Sequence, residues 1–229
     1  MATSMITPRL FTFLKELTRN NDRPWFMANK QRYIEEVRDP LLHFIDQFGS
    51  PLAKISKHMV ADPRPVGGSL FRIYRDTRFS RDKQPYKTHA AMSFRHIGGR
   101  DVHGPGFYVH FEPGNVFMGA GMWHPEPEVL TKVRDAIVAH PKRWERVLRS
   151  RGVTLDARHE DDDRLKRPPR GYDPEHRFVE DLKRKSFTAS ATCTEAQACA
   201  PDFIKRFTKV CEQKAPLMEF LTVSVGLPW

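Results

Sequence analysis

The chain has 229 residues, 39% of them hydrophobic and 29% charged, with a formal net charge of +10. At this length folding hides about 70–75% of the unfolded surface, enough for a core without disulfide staples, and 16 phenylalanines exclude a disordered polyelectrolyte. No apolar run approaches the roughly 18 residues that a membrane span needs; an odd set of cysteines late in the chain (Cys193, Cys199, Cys211) argues against a disulfide framework, and the N-terminus carries no secretory signal, so a cytoplasmic protein with one domain over residues 1–229 is expected.

Thr7 followed by Pro8 reads as an N-cap with proline at the first helical position. Leu10, Phe13, Leu14 and Leu17 then recur at helical spacing. Residues 20–24 form a turn. A second helix carries Tyr33 and Val37, halts or kinks near Pro40, and resumes through Leu41, Leu42, Ile45 and Phe48. Residues 62–68 are a loop rich in proline and glycine. A strand is expected over 70–74. Ala90, Met92 and Phe94, then Phe107, Val109 and Phe111, alternate with more polar neighbours. Pro113, Gly114 and Asn115 turn the chain into a strand over 116–122. The middle of the chain is thus predicted to be an antiparallel sheet with one apolar and one polar face.

Pro125 and Pro127 open a helix through Val129, Leu130, Val133 and Ile137. Pro141 opens a shorter one through Trp144, Val147 and Leu148. Periodicity fails over 156–172, an exposed connection with a short strand near 164–167. Residues 175–185 read as helical and 186–191 as extended. Pro201 begins a helix carrying Phe203, Ile204, Phe207, Val210 and Cys211, and Pro216 is expected to begin a last one with Leu217, Phe220 and Leu221. The predicted fold class is α+β, a central antiparallel sheet flanked by N-terminal and C-terminal helices.

The densest chemistry lies in 71–89, FRIYRDTRFSRDKQPYKTH. Arg72, Arg75, Arg78 and Arg81 recur every third residue; Lys83 and Lys87 follow, with Tyr74, Phe79 and Tyr86 between the charges. Guanidinium forks hold phosphate or carboxylate through paired donors. Arg72, Arg75, Arg78, Lys83, Tyr86 and Lys87 are therefore candidate ligand-binding residues for an anionic small molecule or a nucleic acid. Asp76 and His89 are candidate proton-transfer groups if the chain is an enzyme. The same residues also fit an internal ion-pair network, with aspartates clamping arginines to fix an irregular loop, in a scaffold or partner-binding protein.

The segment RIYRDTRFSRDKQPYKTH resembles the signature of a bacterial family of unknown function, number 2461, with the core RI-x-RD-x-RFS-x-DK-x-PYK. The resemblance extends to Phe13-Leu14, to Asn20-Asn21 through Trp25-Phe26, to Gly106-Phe107-Tyr108, to 119–125, to 165–172 and to Lys185-Ser186-Phe187. Arg170 stands where the family often has lysine. The resemblance implies an α+β domain and no established activity.

Residues 119–125, GAGMWHP, place small residues at a strand end before a helix start. Small residues permit close backbone approach and a helix N-terminus favours an anion. Trp123 is a candidate stacking face there and His124 a donor; alternatively the glycines make room for neighbours and Trp123 packs in the core. No metal and no cofactor is expected. The cysteines lack paired spacing, and His89, His96, His103 and His110 are scattered, although His110 and Glu112 share a strand face. Ser80 lacks the surroundings of a nucleophile elbow.

Overall fold

The computed structural model describes residues 4–78, 80–99, 104–156 and 164–229. Phe79, His103 and residues 157–163 of the connection expected over 156–172, all named above, lie outside the described residues. The chain begins with α1 (Pro8–Arg19), α2 (Arg23–Ala28) and α3 (Lys30–Tyr33), and a π-helical turn, Ile34–Arg38, leads into α4 (Asp39–Ile55). The strands are β1 (Met59–Val60), β2 (Ala90–His96), β3 (Gly106–Glu112) and β4 (Asn115–Met122). Then come α5 (Pro127–Ala139), α6 (Pro141–Arg149), α7 (Val179–Leu182), β5 (Phe187–Cys193), α8 (Glu195–Ala198) and α9 (Phe203–Ser224). The architecture is α+β. The sheet has five strands in chain order, each antiparallel to the next.

Register decides which residues meet the core. Met92, Val109, Met118 and Ala191 form one transverse row; the next row, on the opposite face, is Ala91, His110, Phe117 and Thr192. The first face packs on α1, α4 and α9 through rings. Phe48 meets Phe94 at 4.8 Å and Phe207 at 4.7 Å, and Phe11 meets Phe111 edge-on at 6.5 Å. A second cluster at the β4–β5 end joins Met122 and Phe187 to Trp144, Ile137, Leu217 and Phe220. Among the described residues no helix is long and apolar enough to cross a membrane.

The chain departs from its predicted elements where prolines sit inside helical runs. The break expected near Pro40 is the π-turn just before it. In an α-helix Pro40 would crowd the Glu36 carbonyl, and a wider turn relieves that clash. Pro216 opens no new helix, because α9 runs through it. A mid-helix proline costs about 3 kcal/mol, but Leu217, Met218, Phe220 and Leu221 just beyond it are buried, and each buried side chain of that size contributes about 1.5–3 kcal/mol. Over 175–185 only Val179–Leu182 is helical. The strand expected over 70–74 is reduced to single bridges, Leu70 to Met92 and Tyr74 to Tyr86. Near 164–167 one bridge forms, Arg164 to Arg184.

Candidate functional site

The arginine-rich segment leaves the sheet edge and closes on itself. Phe71 N–H donates to Ala91 O at 3.0 Å, along the edge of β2. The chain then pairs its own two arms: Lys87 N–H donates to Ile73 O at 2.8 Å and Arg75 N–H to Pro85 O at 2.9 Å. Asn21, in the turn before α2, holds the outer arm. Its Oδ1 accepts from Tyr86 N–H at 3.1 Å and its Nδ2 donates to Tyr86 O at 3.0 Å. The Tyr86 ring is 3% exposed and stacks on Phe26 with centroids 4.1 Å apart. Tyr86, a candidate ligand contact from sequence, is therefore a core residue. An aromatic between Lys83 and Lys87 looked available because the sequence does not show that α2 packs beneath it.

Beyond these arms most of the charge is internally paired. Arg75 is ion-paired with Asp82. Arg78 bonds Asp76 through Nε at 3.0 Å and Nη2 at 2.7 Å. Those bonds hold the Asp76 carboxyl down at about 2. Lys83 donates to Thr77 O at 2.9 Å. Asp76 thus spends its carboxylate on Arg78 in the loop, whereas His89 lies at the start of β2 with its ring 4.5 Å from that of His110. The two candidate proton-transfer groups are engaged by different partners.

Lys87 and Arg72 have no ion pair within this network, nor has the exposed Arg81, although the Arg72 charge also helps to lower the Asp76 carboxyl. Lys87 is half-buried and lies 5.2 Å from the centroid of the Phe71 ring. Neither Lys87 nor Arg72 has an ion pair or a side-chain hydrogen bond with the described residues. Burial, and then the Arg72 charge, lower the proton affinity of the Lys87 amine. Rings continue from Phe71 across the polar face: Phe71 to Tyr108 at 6.3 Å, Tyr108 to Phe117 at 5.7 Å and Phe117 to His110 at 4.8 Å. Trp123, at the far end of β4, is 45% exposed with its ring edge-on to His124, not packed in the core. Gly121 beside it does make room, for the β5 backbone: it has φ +133°, and a Cβ there would sit 2.0 Å from Phe187 O, whereas a Cβ on Gly119 would make only ordinary contacts. Of the two prolines expected to open the next helix, Pro127 is its first residue and Pro125 precedes it.

The same face gathers side chains that spacing alone left scattered. Tyr108, His110 and Glu112 alternate along β3 and so share its polar side. Ala90 pairs with Phe111 at the end of the β2–β3 ladder, and His89, one residue before it, lies beside His110 and Glu112. The Tyr108 hydroxyl and His110 Nδ1 share a hydrogen bond of 3.0 Å; His110 Nε2 lies 3.4 Å from Glu112 Oε2. His89, His110 and Glu112 each bring a metal-ligating atom within 4.8 Å of the others. Burial pushes His89 down to about 4, helped by His110 and Lys87, and pushes His110 down as well. Burial also raises Tyr108 to about 12, so it stays a neutral hydroxyl. At neutral pH the pair of imidazoles is uncharged and presents lone pairs. No metal was expected from the sequence; only the His110–Glu112 alternation was legible, and the β2–β3 register supplies His89.

A family model described as Conserved hypothetical protein (DUF2461) matches residues 9–220. No curated protein matches the chain.

Proposed function

We propose that this chain, which belongs to the conserved hypothetical family DUF2461, is a binding protein for a small phosphate- or carboxylate-bearing ligand, held at Lys87 and Arg72. One observation carries this reading: Lys87 is half-buried, rests on the Phe71 ring, and has Arg72 rather than a carboxylate as its charged neighbour. A partly desolvated cation without a counter-charge is costly, and a bound anion offsets that cost. The ring row from Phe71 to Phe117 gives the non-ionic part of such a ligand an apolar surface to lie against.

A small anion fits better than a nucleic acid strand. A polyanion needs several free cations along a track, and here Arg75, Arg78 and Lys83 are already engaged by Asp82, Asp76 and Thr77. Thermal shift and calorimetry with inorganic phosphate, citrate and a short single-stranded DNA test the proposal. Phosphate or citrate is expected to stabilise the wild type; Lys87→Met and Arg72→Ala lose that effect, and Arg78→Ala keeps it. Equal stabilisation of wild type and Lys87→Met would sink it. DNA binding that weakens steeply with salt, without response to either small anion, would replace it by a polyanion reading.

A further inference from the structure

We infer that His89, His110 and Glu112 form a binding site for a first-row divalent transition-metal ion of the zinc or iron(II) class. Two imidazoles and one carboxylate are the donor set such ions favour, and three protein ligands leave coordination open for water or a further ligand. The inference does not rest on the anion reading, although both sites lie on the polar face.

The geometry supports it in three ways. Ligand atoms on a tetrahedral ion with bonds of 2.0–2.1 Å lie about 3.3 Å apart; His110 Nε2 and Glu112 Oε2 are separated by 3.4 Å. That distance is long for an N–H···O bond, which is commonest near 2.9–3.0 Å, but natural for two ligands of one ion. Second, His89 makes no hydrogen bond with the described residues, although it is half-buried and touches only the His110 ring among the aromatic groups. Its ring nitrogens are thus reachable from solvent and not committed to a partner among those residues. Third, Tyr108 supplies the outer partner that metal-bound imidazoles require. With His110 Nδ1–H donating to the Tyr108 oxygen at 3.0 Å, Nε2 presents its lone pair toward Glu112 and His89. Lys87 opposes a cation here, and the Glu112 carboxylate offsets it. Arg75 is already neutralised by Asp82.

The test is calorimetric titration of the full chain, stripped with a chelator and held in a non-coordinating buffer without phosphate, using zinc, manganese and cobalt(II) chlorides. One ion per chain is expected, with a visible cobalt spectrum of low coordination number and a rise in Tm by mass action. Glu112→Gln, His89→Ala and His110→Ala are each expected to lower affinity at least tenfold, and Tyr108→Phe by about tenfold. His58→Ala, at the separate His58–His96 stack, is the control for adventitious imidazole binding and keeps the wild-type isotherm. Should His110→Ala fail to fold, Glu112→Gln at the partly exposed rim decides. Absence of binding, or binding unchanged in Glu112→Gln and His89→Ala, overturns the inference. These titrations contain no anionic ligand, so their outcome is independent of the Lys87 proposal.

Discussion

Asn21 clasps the main chain of Tyr86 across 65 residues of sequence, accepting from its N–H at 3.1 Å and donating to its carbonyl at 3.0 Å. A carboxamide satisfies both groups as a neighbouring strand would, and so fixes the arm that carries Lys87. Asn21→Ala leaves both groups without this partner. It is expected to cost about 2 kcal/mol and to speed proteolysis within the arginine-rich loop. Asn21→Asp, which keeps only the acceptor, should fall between. Urea unfolding of the three proteins checks the order; no difference between Ala and wild type would show that the clasp is dispensable.

Gly121 and Gly114 make a matched pair. Both have positive φ, but a Cβ on Gly121 runs into Phe187 O at 2.0 Å, while one on Gly114 meets nothing within 4 Å. Gly114→Ala bears only the conformational penalty, about 1–2 kcal/mol. Gly121→Ala must also push β5 away from β4, and a loss above about 4 kcal/mol is expected. Chemical denaturation separates the two, and equal losses would mean that β5 gives way freely.

Arg134 is buried on α5 and forms no ion pair with a carboxylate among the described residues. Its Nε donates to Leu182 O at 2.7 Å and its Nη2 to Arg184 O at 3.0 Å. It ties the end of α7 to α5 and positions the entry into β5. Arg134→Met keeps the apolar stem and orphans both carbonyls; about 3 kcal/mol of destabilisation is expected, read as a fall in the urea midpoint. Arg134→Lys reaches one carbonyl at most and should recover only part of it.

Alkali should unfold the protein partly through Tyr33. Burial raises its hydroxyl from 10.0 to about 12, with Arg38 opposing. The unfolded chain therefore loses this proton first as pH rises. The stabilising contribution is fully present below pH 10 and is lost between pH 10 and 12. Its size is about 2 kcal/mol once solvent screening is allowed for. Melting temperatures from pH 9 to pH 12 should fall less steeply for Tyr33→Phe than for the wild type; parallel curves would refute the assignment. Tyr108 and Tyr172, also raised to about 12, keep part of the slope in the variant.

Local pattern made most of the fold legible. Leu10, Phe13, Leu14 and Leu17 lie buried on α1, and the alternation of 90–94 and 107–111 gave the core face of the sheet. The short elements were hidden because their cause is tertiary. Met59–Val60 is a strand only by pairing with Arg95 and His96. By contrast α8 carries a local signal that went unread above, the reciprocal capping box of Thr194 and Gln197. The site divides in the same way. Charge density marked 71–89, but pairing partners decide which cations stay free: Asp82, Asp76 and the Thr77 carbonyl take Arg75, Arg78 and Lys83, leaving Lys87, Arg72 and Arg81. His89 and Glu112 lie 23 positions apart in the chain, and only strand register brings them together.

The wide turn at Ile34–Arg38 bears on how this protein tolerates changes in length. An i→i+5 turn holds one residue more than the α-turn it replaces. Removing exposed Glu35 would let the winding close to its ordinary pitch while Leu41, Phe44 and Phe48 keep their azimuth. The same excision at Asp46 would swing Phe48 and Leu52 by about 100° relative to Leu41, away from the sheet they cover. The helix thus carries its spare residue where its loss is expected to leave the buried face in phase.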